Sequence, residues 1–320
     1  MQHSASDGAA RRTGRGLVRF GLTALLGVLL LAYVLPTGWL TALLQHFPAY
    51  YAWAALGLAV LARWSRSATV LQGGCAFLAV GLFAFWATPR LPAAAQTLHD
   101  PASMRVVWAN LQHDPRKVES FLDWLETLDP LPLAIGLAEV HDEASVIALR
   151  ERYPHGLADR ATGVALLTRE EPKAMQSVWV QNGRPILHLE MSVAGRRVDL
   201  VAAHALVPVG AGAQPALTPL VELLDGLDAA VVLADLNQTP WSTAYRHLIR
   251  DARLQDARRG QWPRKTWRPR RSWLVGLPID HVLYRGAVQV EQFRLGPDVG
   301  SDHLPLLADL ALGSGEASDH

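Results

Sequence analysis

Cysteine is nearly absent from this sequence, since its 320 residues include only Cys75. A single thiol excludes an intrachain disulfide, so cysteine pairing cannot stabilise the fold. The sequence also has no repeat of solenoid length and no coiled-coil heptads, which excludes repeat and fibrous architectures. Half of the residues are hydrophobic, and the chain is long enough for one sizeable core and an additional segment.

Acidic residues are missing from a long N-terminal stretch between Asp7 and Asp100, although the net charge of the whole chain is only +1. Three segments within this stretch are apolar and almost free of charge: residues 17–35, 38–62 and 68–87. Each approaches the roughly 20 residues that a helix needs to cross a bilayer. A soluble core of three such helices is less favoured, because three nearly uncharged segments of near-spanning length occur together with basic segments in the N-terminal tail and at residues 63–66. The sequence therefore predicts a membrane anchor over residues 17–89 with about three transmembrane helices, preceded by a basic tail without structure over residues 1–16.

The arginines around these segments predict the orientation of the anchor. The N-terminal tail and the turn at residues 63–66 carry arginines, whereas the connection at residues 36–48 carries none. Because basic connections stay in the cytoplasm, three crossings would place everything after Pro89 on the other side. We therefore expect a multi-pass membrane protein with an extracytoplasmic C-terminal domain. Pro48 can divide the second apolar segment into an interfacial piece and a shorter span. Proteolytic removal of the anchor by cleavage after Ala95 is an alternative that the sequence leaves open.

The remainder of the chain alternates short apolar runs with helical segments, which is typical of an α/β domain. We expect a linker over residues 90–103, a catalytic domain over 104–312 and a tail over 313–320. The apolar runs predict strands near residues 104–108, 133–138, 164–168, 177–181, 186–193, 198–203, 230–234, 279–284, 288–295 and 304–310. Helical periodicity predicts helices near residues 116–128, 144–150 and 217–227.

Polar side chains stand at or just beyond the ends of most of these strands. They are Asn110, Glu139, His204, Asp235, Asn237, Asp280, Asp302 and His303. Taken singly, each is at least as well explained by a turn, a surface carboxylate or a helix cap. If the strand ends converge on one edge of packed sheets, however, the side chains form a single cluster. An imidazole can bind or protonate a phosphoryl oxygen, and a neighbouring carboxylate can hold a metal ion or orient a nucleophile.

The order of these residues resembles the motifs of the endonuclease/exonuclease/phosphatase superfamily, which has the deoxyribonuclease-I-like fold. The resemblance covers residues 104–310 and rests on six blocks: Asn110, Leu137-Ala138-Glu139, His204, Ala234-Asp235-Leu236-Asn237, Ile279-Asp280-His281 and Ser301-Asp302-His303-Leu304-Pro305. It implies a four-layer αββα sandwich of two packed, mixed, largely antiparallel sheets flanked by helices. The three apolar segments resemble those of membrane-anchored bacterial members, which implies a bacterial-type inner membrane. The chain departs from the usual motifs at three positions: Gln112, Ala138 and Ala234.

The resemblance also implies a metal centre. Hydrolysis of a phosphate ester needs a cation on the phosphate oxygens, and hard oxygen ligands suit Mg²⁺ or Mn²⁺. By resemblance, Glu139 is the principal ligand and is assisted by Asn110 and Asp302. Some members carry an acidic residue at the position of Gln112, so this chain is expected to make no metal contact there.

The catalytic roles are likewise implied by the resemblance. Asp235 would orient or deprotonate the attacking water, and Asn237 would hold the water or the phosphate. His303 would contact the phosphoryl oxygens, with its tautomer and charge set by Asp280. His204 would bind phosphate or assist the leaving group.

A basic segment lies between Arg246 and Arg271, where ten basic residues accompany only two acidic ones, Asp251 and Asp256. Tryptophans are interleaved with them: Trp262, Trp267 and Trp273. A solvated loop is one interpretation of such a charge run. Because the segment leads into Asp280, we favour a basic wall that attracts an anionic substrate: a nucleic acid backbone, a phospholipid headgroup or a phosphorylated sugar. The residues expected to bind the substrate are Arg264, Lys265, Arg268 and Arg270.

These patterns predict a membrane-anchored, divalent-metal-dependent phosphohydrolase that cleaves a phosphodiester or a phosphomonoester. No cysteine or serine nucleophile constellation is visible, so direct attack by water is expected. The alternative is a catalytically silent membrane protein whose domain binds an anionic polymer or a partner. The expected partners are a phosphate-ester substrate and, through the N-terminal helices, the lipid bilayer, and no protein partner is inferred.

Overall fold

The structure is a computed structural model that describes residues 2–35, 38–88, 102–180, 183–209, 217–258, 260–261, 264–272 and 274–313. The chain forms two compact units, one built from the N-terminal helices and one from the α/β elements that follow. Several sequence-based expectations fall wholly or mostly outside the described residues: the linker over 90–103, processing after Ala95, the tail over 313–320, and the positions of Trp262 and Trp273.

The helical unit contains α1 (Gln2–Tyr33), α2 (Trp39–Leu44), α3 (Pro48–Trp64) and α4 (Thr69–Ala87). Two helical stretches, Asp7–Tyr33 and Thr69–Ala87, are long and apolar enough to cross a membrane. The second apolar segment is divided at Pro48, and α3 has 17 residues. At 1.5 Å per residue α3 spans about 26 Å, slightly less than the ~30 Å hydrocarbon core of a bilayer. The expectation that residues 1–16 lack structure is wrong, because α1 begins at Gln2 and continues into the first apolar segment.

The first sheet of the α/β unit has the strand order β11-β12-β1-β2-β4-β3. Its strands are β1 (Ala102–Asn110), β2 (Ala134–Ala138), β3 (His155–Asp159), β4 (Val164–Thr168), β11 (Val288–Leu295) and β12 (Leu306–Leu312). Strands β1 and β2 are parallel, with Asn110 opposite Ala138, and the other neighbouring strands are antiparallel. The first sheet is therefore mixed.

The second sheet has the strand order β5-β6-β7-β8-β10-β9. Its strands are β5 (Ala174–Val178), β6 (Ile186–Val193), β7 (Arg196–His204), β8 (Ala230–Asp235), β9 (Gln255–Asp256) and β10 (Asp280–Arg285). Strands β7 and β8 are parallel, and the register sets His204 beside Asp235. Strand β10 runs antiparallel to β8, so that its first residue, Asp280, lies opposite Asp235. This sheet repeats the arrangement of the first, with one parallel pair among antiparallel neighbours.

Three apolar layers hold the α/β unit together. Inward-facing side chains of both sheets form the central layer, where Trp108 and Leu306 of the first sheet share a cluster with Leu233 of the second. The helices α5 (Pro115–Glu126) and α6 (Glu143–Arg150) cover the outer face of the first sheet. The helices α7 (Thr218–Asp225) and α8 (Thr243–Asp251) cover the second. The predicted α/β fold, with two mixed sheets flanked by helices, is confirmed.

A few elements differ from the sequence-based expectation. Strand β5 covers Ala174–Val178 instead of residues 177–181, and β3, β9 and α8 were not predicted. Strand β3 is half-buried along its whole length and contains a glycine, so its sequence shows no alternation. Helix α8 was not predicted because its exposed basic residues were assigned to the basic segment that begins at Arg246. Its apolar residues Tyr245 and Leu248 fill the core beneath it.

Candidate active site

Six strands bring polar residues to one edge of the two sheets. The parallel strands β1, β2, β7 and β8 end at this edge, whereas the antiparallel strands β10 and β12 begin there. The residues at these ends are Asn110, Glu139, His204, Asp235, Asp280 and His303. The structure thus brings together side chains that lie up to about 190 positions apart in the sequence, because sheet order, and not chain order, determines which strand ends are neighbours.

Asn110 links the two sheets through its side-chain amide. Its Nδ2 donates to Glu139 Oε1 at 3.2 Å and to Asp235 Oδ2 at 3.1 Å. Its Oδ1 accepts the backbone N–H of Gln112 at 3.1 Å, which fixes the orientation of the amide. Glu139 adopts a left-handed backbone conformation with φ of 61°, and its side chain remains 22% exposed. Asn110 is therefore a donor that holds two carboxylates side by side, one of which is open to solvent.

His303 is held against Asp280 in the floor of the site. Its Nδ1 donates to Asp280 Oδ2 at 2.8 Å, while Trp108 Nε1 donates to the other carboxylate oxygen at 3.0 Å. The hydroxyl of Ser301 accepts the backbone N–H of His303 at 3.1 Å and donates to the carbonyl of Asn110 at 2.7 Å. Asp280 and Ser301 are fully buried. The imidazole therefore has a fixed ring orientation, with Nε2 as its remaining polar atom.

Burial and neighbouring charges give these groups unusual pKa values. Burial would lower the pKa of His303, but the carboxylates of Asp280, Asp235 and Asp302 outweigh it and raise that pKa to about 9. Burial, together with the charge of Asp280, raises the pKa of Asp235 to about 7. Near neutral pH, His303 is therefore a cation and Asp235 titrates close to the working pH of a general base.

His204 lies beside the two carboxylates that Asn110 connects. Its Nε2 is 3.7 Å from Asp235 Oδ2 and 3.9 Å from Glu139 Oε1. Burial, assisted by the positive charges of Arg184 and His303, lowers the pKa of His204 to about 3. Its buried Nδ1 has no hydrogen-bond partner in the described part of the chain. His204 is thus a neutral imidazole at physiological pH.

Asp302 and Asn237 occupy the periphery of this cluster. Asp302 Oδ2 accepts from Trp267 Nε1 at 3.0 Å, and its Oδ1 lies 3.7 Å from His303 Nε2. Asn237, in a left-handed conformation with φ of 49°, donates its backbone N–H to Asp235 Oδ1 at 2.9 Å. Its Nδ2 donates to the carbonyl of Ala205 at 2.9 Å, so only its side-chain oxygen faces other partners.

The donor set is compatible with a hard divalent cation. One ligand atom each from Asp235, Asp280 and His303 lie within 4.8 Å of one another. Asp280, however, already accepts from Trp108 and His303, which leaves little capacity for an ion. Glu139 is more accessible, and the buried Oδ1 of Asp302 has no hydrogen-bond partner among the described residues. Carboxylate oxygens of this kind are the ligands that Mg²⁺ and Mn²⁺ prefer, so these two residues fit an ion better than the buried trio.

The structure also places residues that the sequence-based reasoning did not assign. Trp108 resembled an ordinary core residue, yet its indole N–H orients Asp280. Gln112 Oε1 accepts from Lys117 Nζ at 2.7 Å and from the backbone N–H of Asp302 at 3.0 Å, which ties two loops together. His113 Nε2 lies 3.1 Å from Glu139 Oε2. Gln112 was considered only as a position without a metal contact, and the position of His113 just after Asn110 was the only sequence signal for that residue.

The basic segment reaches the site through its backbone. Thr266 accepts from Leu304 N–H at 2.8 Å, and Arg268 N–H donates to the carbonyl of Asp302 at 2.8 Å. The Arg268 side chain pairs with Asp298 at 3.1 Å, and Lys265 Nζ donates to the carbonyl of Leu274. The exposed members of the predicted substrate-binding set are Arg264 and Arg270. Part of the segment is therefore committed to internal contacts.

Two mixed sheets packed face to face, with helices outside and an acidic and imidazole cluster at one edge, define the class of α/β sandwich domains to which this protein belongs. The chain belongs to the Endonuclease/Exonuclease/phosphatase family, which it matches over residues 107–303. Members of this family are hydrolases acting on phosphate esters, and they usually use divalent metals.

Solved structures of other proteins share this fold. An endonuclease/exonuclease/phosphatase from Bacteroides vulgatus is 20% identical with a TM-score of 0.53, covering 66% of this chain and 99% of its own. A humanised D. rerio TDP2 is 14% identical with a TM-score of 0.52, covering 65% of this chain and 98% of its own. Sphingomyelinase C from Streptomyces griseocarneus is 17% identical with a TM-score of 0.50, covering 65% of this chain and 99% of its own. At these identities the likeness concerns the fold alone. No curated protein sequence matches the chain.

Proposed function

We propose that this protein is a membrane-anchored, divalent-metal-dependent phosphohydrolase that cleaves a phosphodiester or a phosphomonoester by direct attack of water. The observation that carries the proposal is one continuous hydrogen-bonded network. Asn110 joins Glu139 to Asp235, His303 bonds to Asp280, and the Ser301 hydroxyl connects the backbones of Asn110 and His303. This network sets an accessible carboxylate, a carboxylate with a pKa of about 7 and an imidazolium beside one another.

Glu139 and Asp302 are the residues proposed to hold the cation, with Asn110 fixing the Glu139 carboxylate. When bound, Mg²⁺ or Mn²⁺ would neutralise negative charge on the phosphate oxygens. In this structure the amide oxygen of Asn110 accepts from Gln112 N–H. Asn110 would therefore assist by orienting Glu139, and the second lone pair of its amide oxygen remains for direct ligation of the cation.

Asp235 is the proposed group that orients and deprotonates the attacking water. Its pKa of about 7 suits a general base at neutral pH. The backbone N–H of Asn237 holds one oxygen of this carboxylate and Asn110 holds the other. Both bonds set the direction of the remaining lone pairs, and the side-chain oxygen of Asn237 is available to the water or the phosphate.

The proposed phosphate-binding groups are His303 and His204. His303 carries a positive charge at neutral pH because of its carboxylate neighbours, so its Nε2–H can donate to a phosphoryl oxygen whose charge grows in the transition state. His204 stays neutral and can bind phosphate or assist the leaving group through Nε2. Asp280 keeps His303 in its orientation and charge state.

The substrate is proposed to be anionic and to meet the exposed part of the basic segment, at Arg264 and Arg270, with Lys265 and Arg268 supporting that surface. A nucleic acid backbone, a phospholipid headgroup and a phosphorylated sugar all meet this requirement.

The proposed anchor comprises three crossings of a bacterial-type inner membrane, with the catalytic domain extracytoplasmic. Two helices have sufficient length and apolarity, and α3 is the proposed third span. Support for α3 comes from its apolar sequence and from the aromatic residues near its start, Tyr50, Tyr51 and Trp53, which suit a membrane interface. A helix slightly shorter than the bilayer core can be accommodated by local thinning of the bilayer.

The decisive experiment compares Glu139→Gln with the wild-type protein. Full-length protein in detergent is assayed with Mg²⁺ or Mn²⁺ against DNA, RNA, sphingomyelin, phosphoinositides and a chromogenic phosphodiester. Because stabilisation by a metal is worth several kcal/mol and each 1.36 kcal/mol is a tenfold change in rate, we expect turnover to fall by at least about a thousandfold.

The matched control is Glu143→Gln, which alters an exposed glutamate paired with Arg160 at the start of α6. It should retain wild-type turnover. Undiminished turnover in Glu139→Gln would contradict the proposed metal centre. Binding of an anionic polymer without turnover of any substrate would instead favour a catalytically silent binding domain.

A further inference from the structure

A tight turn directly after β1 places an imidazole against the most accessible carboxylate of the site. Gln112 and His113 both adopt left-handed conformations, with φ of 49° and 55°. The backbone N–H of His113 donates to the carbonyl of Glu139 at 2.9 Å, which anchors the turn to the residue after β2. The side chains follow: His113 Nε2 lies 3.1 Å from Glu139 Oε2, whereas Asn110 binds the other oxygen, Oε1. The two carboxylate oxygens therefore have different neighbours.

A second histidine supports this imidazole from behind. The rings of His113 and His141 pack against each other in a tilted arrangement, with centroids 4.2 Å apart and an interplanar angle of 35°. His141 Nδ1 donates to the carbonyl of Arg160 at 2.9 Å, which fixes the supporting ring. Gly163 leaves the space for it, because a Cβ at that position would lie 2.4 Å from His141 Nε2. The imidazole of His113 is thus positioned by backbone and ring contacts, while its side chain is still 56% exposed and accessible to an ion.

We propose that His113 Nε2 and Glu139 Oε2 together bind the divalent cation, so that the centre is a mixed nitrogen and oxygen site. This inference rests on the proposed function and adds a ligand to its metal centre. Adjacent ligands of an octahedral ion with bonds of about 2.1 Å are separated by roughly 3 Å. The 3.1 Å between the two atoms matches this separation. Glu139, His113 and the previously proposed Asp302 make three protein ligands, which leaves coordination positions of an octahedral ion for water and substrate.

The chemical consequence is metal selectivity. An all-oxygen site suits Mg²⁺, whereas imidazole ligands favour first-row transition ions. Mn²⁺ accepts both carboxylate and imidazole ligands, so the site should bind Mn²⁺ more tightly than Mg²⁺. The competing explanation is that His113 only donates a hydrogen bond to Glu139. In that case His113 would compete with a cation, and removing it would leave metal affinity unchanged or raise it.

The test uses electron spin-echo modulation of Mn²⁺ bound to the full-length protein in detergent, together with calorimetric titration of Mn²⁺ and Mg²⁺. The main variant is His113→Asn. Asparagine tolerates a left-handed backbone, but its side chain is too short to reach the position of Nε2. His113→Gly, which also permits this backbone conformation, is the second variant if the first does not fold. His247→Ala, at an exposed histidine on α8, is the matched control.

We expect nitrogen-14 modulation in the wild-type protein and in His247→Ala, and its loss in His113→Asn. Mn²⁺ affinity should fall at least about tenfold in His113→Asn, with Mg²⁺ affinity reduced much less. Absence of modulation in the wild type, its survival in His113→Asn, or an unchanged Mn²⁺-to-Mg²⁺ affinity ratio would overturn the inference.

Glu139→Gln separates this inference from the proposed function. If Glu139→Gln weakens binding of both ions while His113→Asn alters neither the modulation nor the affinity ratio, only the role of His113 is rejected. If Glu139→Gln binds both ions as tightly as the wild type, the metal centre of the proposed function is itself wrong.

Discussion

Asp256 anchors a buried charged network behind the site, and its replacement by asparagine should destabilise the α/β unit. Asp256 accepts from the Tyr245 hydroxyl at 2.7 Å and from Arg258 through N at 2.9 Å and Nε at 3.3 Å. Arg258, only 2% exposed, also donates to the backbone carbonyl of Asp280. Asp256→Asn keeps the size of the side chain but leaves the guanidinium without its counter-charge.

The expected loss follows from the burial of the pair. Breaking a buried ion pair by removing the charge of one partner costs about 3–5 kcal/mol, because the other charge remains uncompensated. For a domain of 150–250 residues, 1 kcal/mol corresponds to roughly 2–4 °C in melting temperature. Asp256→Asn should therefore lower Tm by roughly 6–20 °C at pH 7.

The loss should also depend on pH in a defined direction. Burial would raise the pKa of Asp256, but the guanidinium of Arg258 and the imidazole of His281 hold it well below its usual range. A carboxyl whose folded-state pKa is depressed stabilises the fold above its unfolded pKa, and this contribution disappears as pH falls toward the folded pKa. The difference between wild type and Asp256→Asn should be complete at pH 7 and shrink below about pH 4.

Thermal unfolding of the full-length protein, followed by near-ultraviolet circular dichroism at pH 7 and pH 3, measures both effects. Asp251→Asn removes a carboxylate with a 43% exposed side chain and is the control, for which we expect less than about 0.5 kcal/mol. A shift below about 2 °C for Asp256→Asn at pH 7, or an equal shift at both pH values, would refute the reasoning.

Three further predictions concern catalysis and topology. Asp235→Asn and His303→Ala should each lower kcat with little effect on metal affinity. Because the two residues act as one unit, kcat of the double variant should fall by less than the product of the two single fold-losses. If steady-state kinetics show that the two fold-losses multiply, the residues do not share a site. Neutralising Arg264 and Arg270 should raise KM and flatten its salt dependence. Arg268→Ala should instead mainly reduce kcat, since Arg268 pairs with Asp298 beside the site. An unchanged salt dependence of KM would mean that the basic segment is a solvated loop. A reporter that is active only in the periplasm should be active when fused after His320, and activity of a cytoplasm-only reporter there would reverse the orientation.

Local patterns in the amino-acid sequence determine much of this fold. The apolar runs at Val164–Thr168, Ile186–Val193 and Val288–Leu295 coincide with β4, β6 and β11. A strand buried on both faces leaves a continuous apolar run, and a half-buried strand leaves an alternation, so burial is recorded in the sequence itself. The same patterns marked where strands end, and with them the polar residues of the candidate site.

Tertiary structure decided which of those residues meet and which others join them. Ser301 Oγ bonds to the carbonyl of Asn110 across a separation of 191 positions, and Trp108 reaches Asp280 across 172. The order of the strands within the sheets sets such contacts, and local periodicity carries no information about that order. The ion pair between Arg268 and Asp298, which no local pattern predicts, gives an expected substrate-binding residue a partner within the protein. His113 meets Glu139 because both residues adopt left-handed backbone conformations. Such a conformation can be expected from the sequence at glycine or asparagine, but seldom at histidine or glutamate.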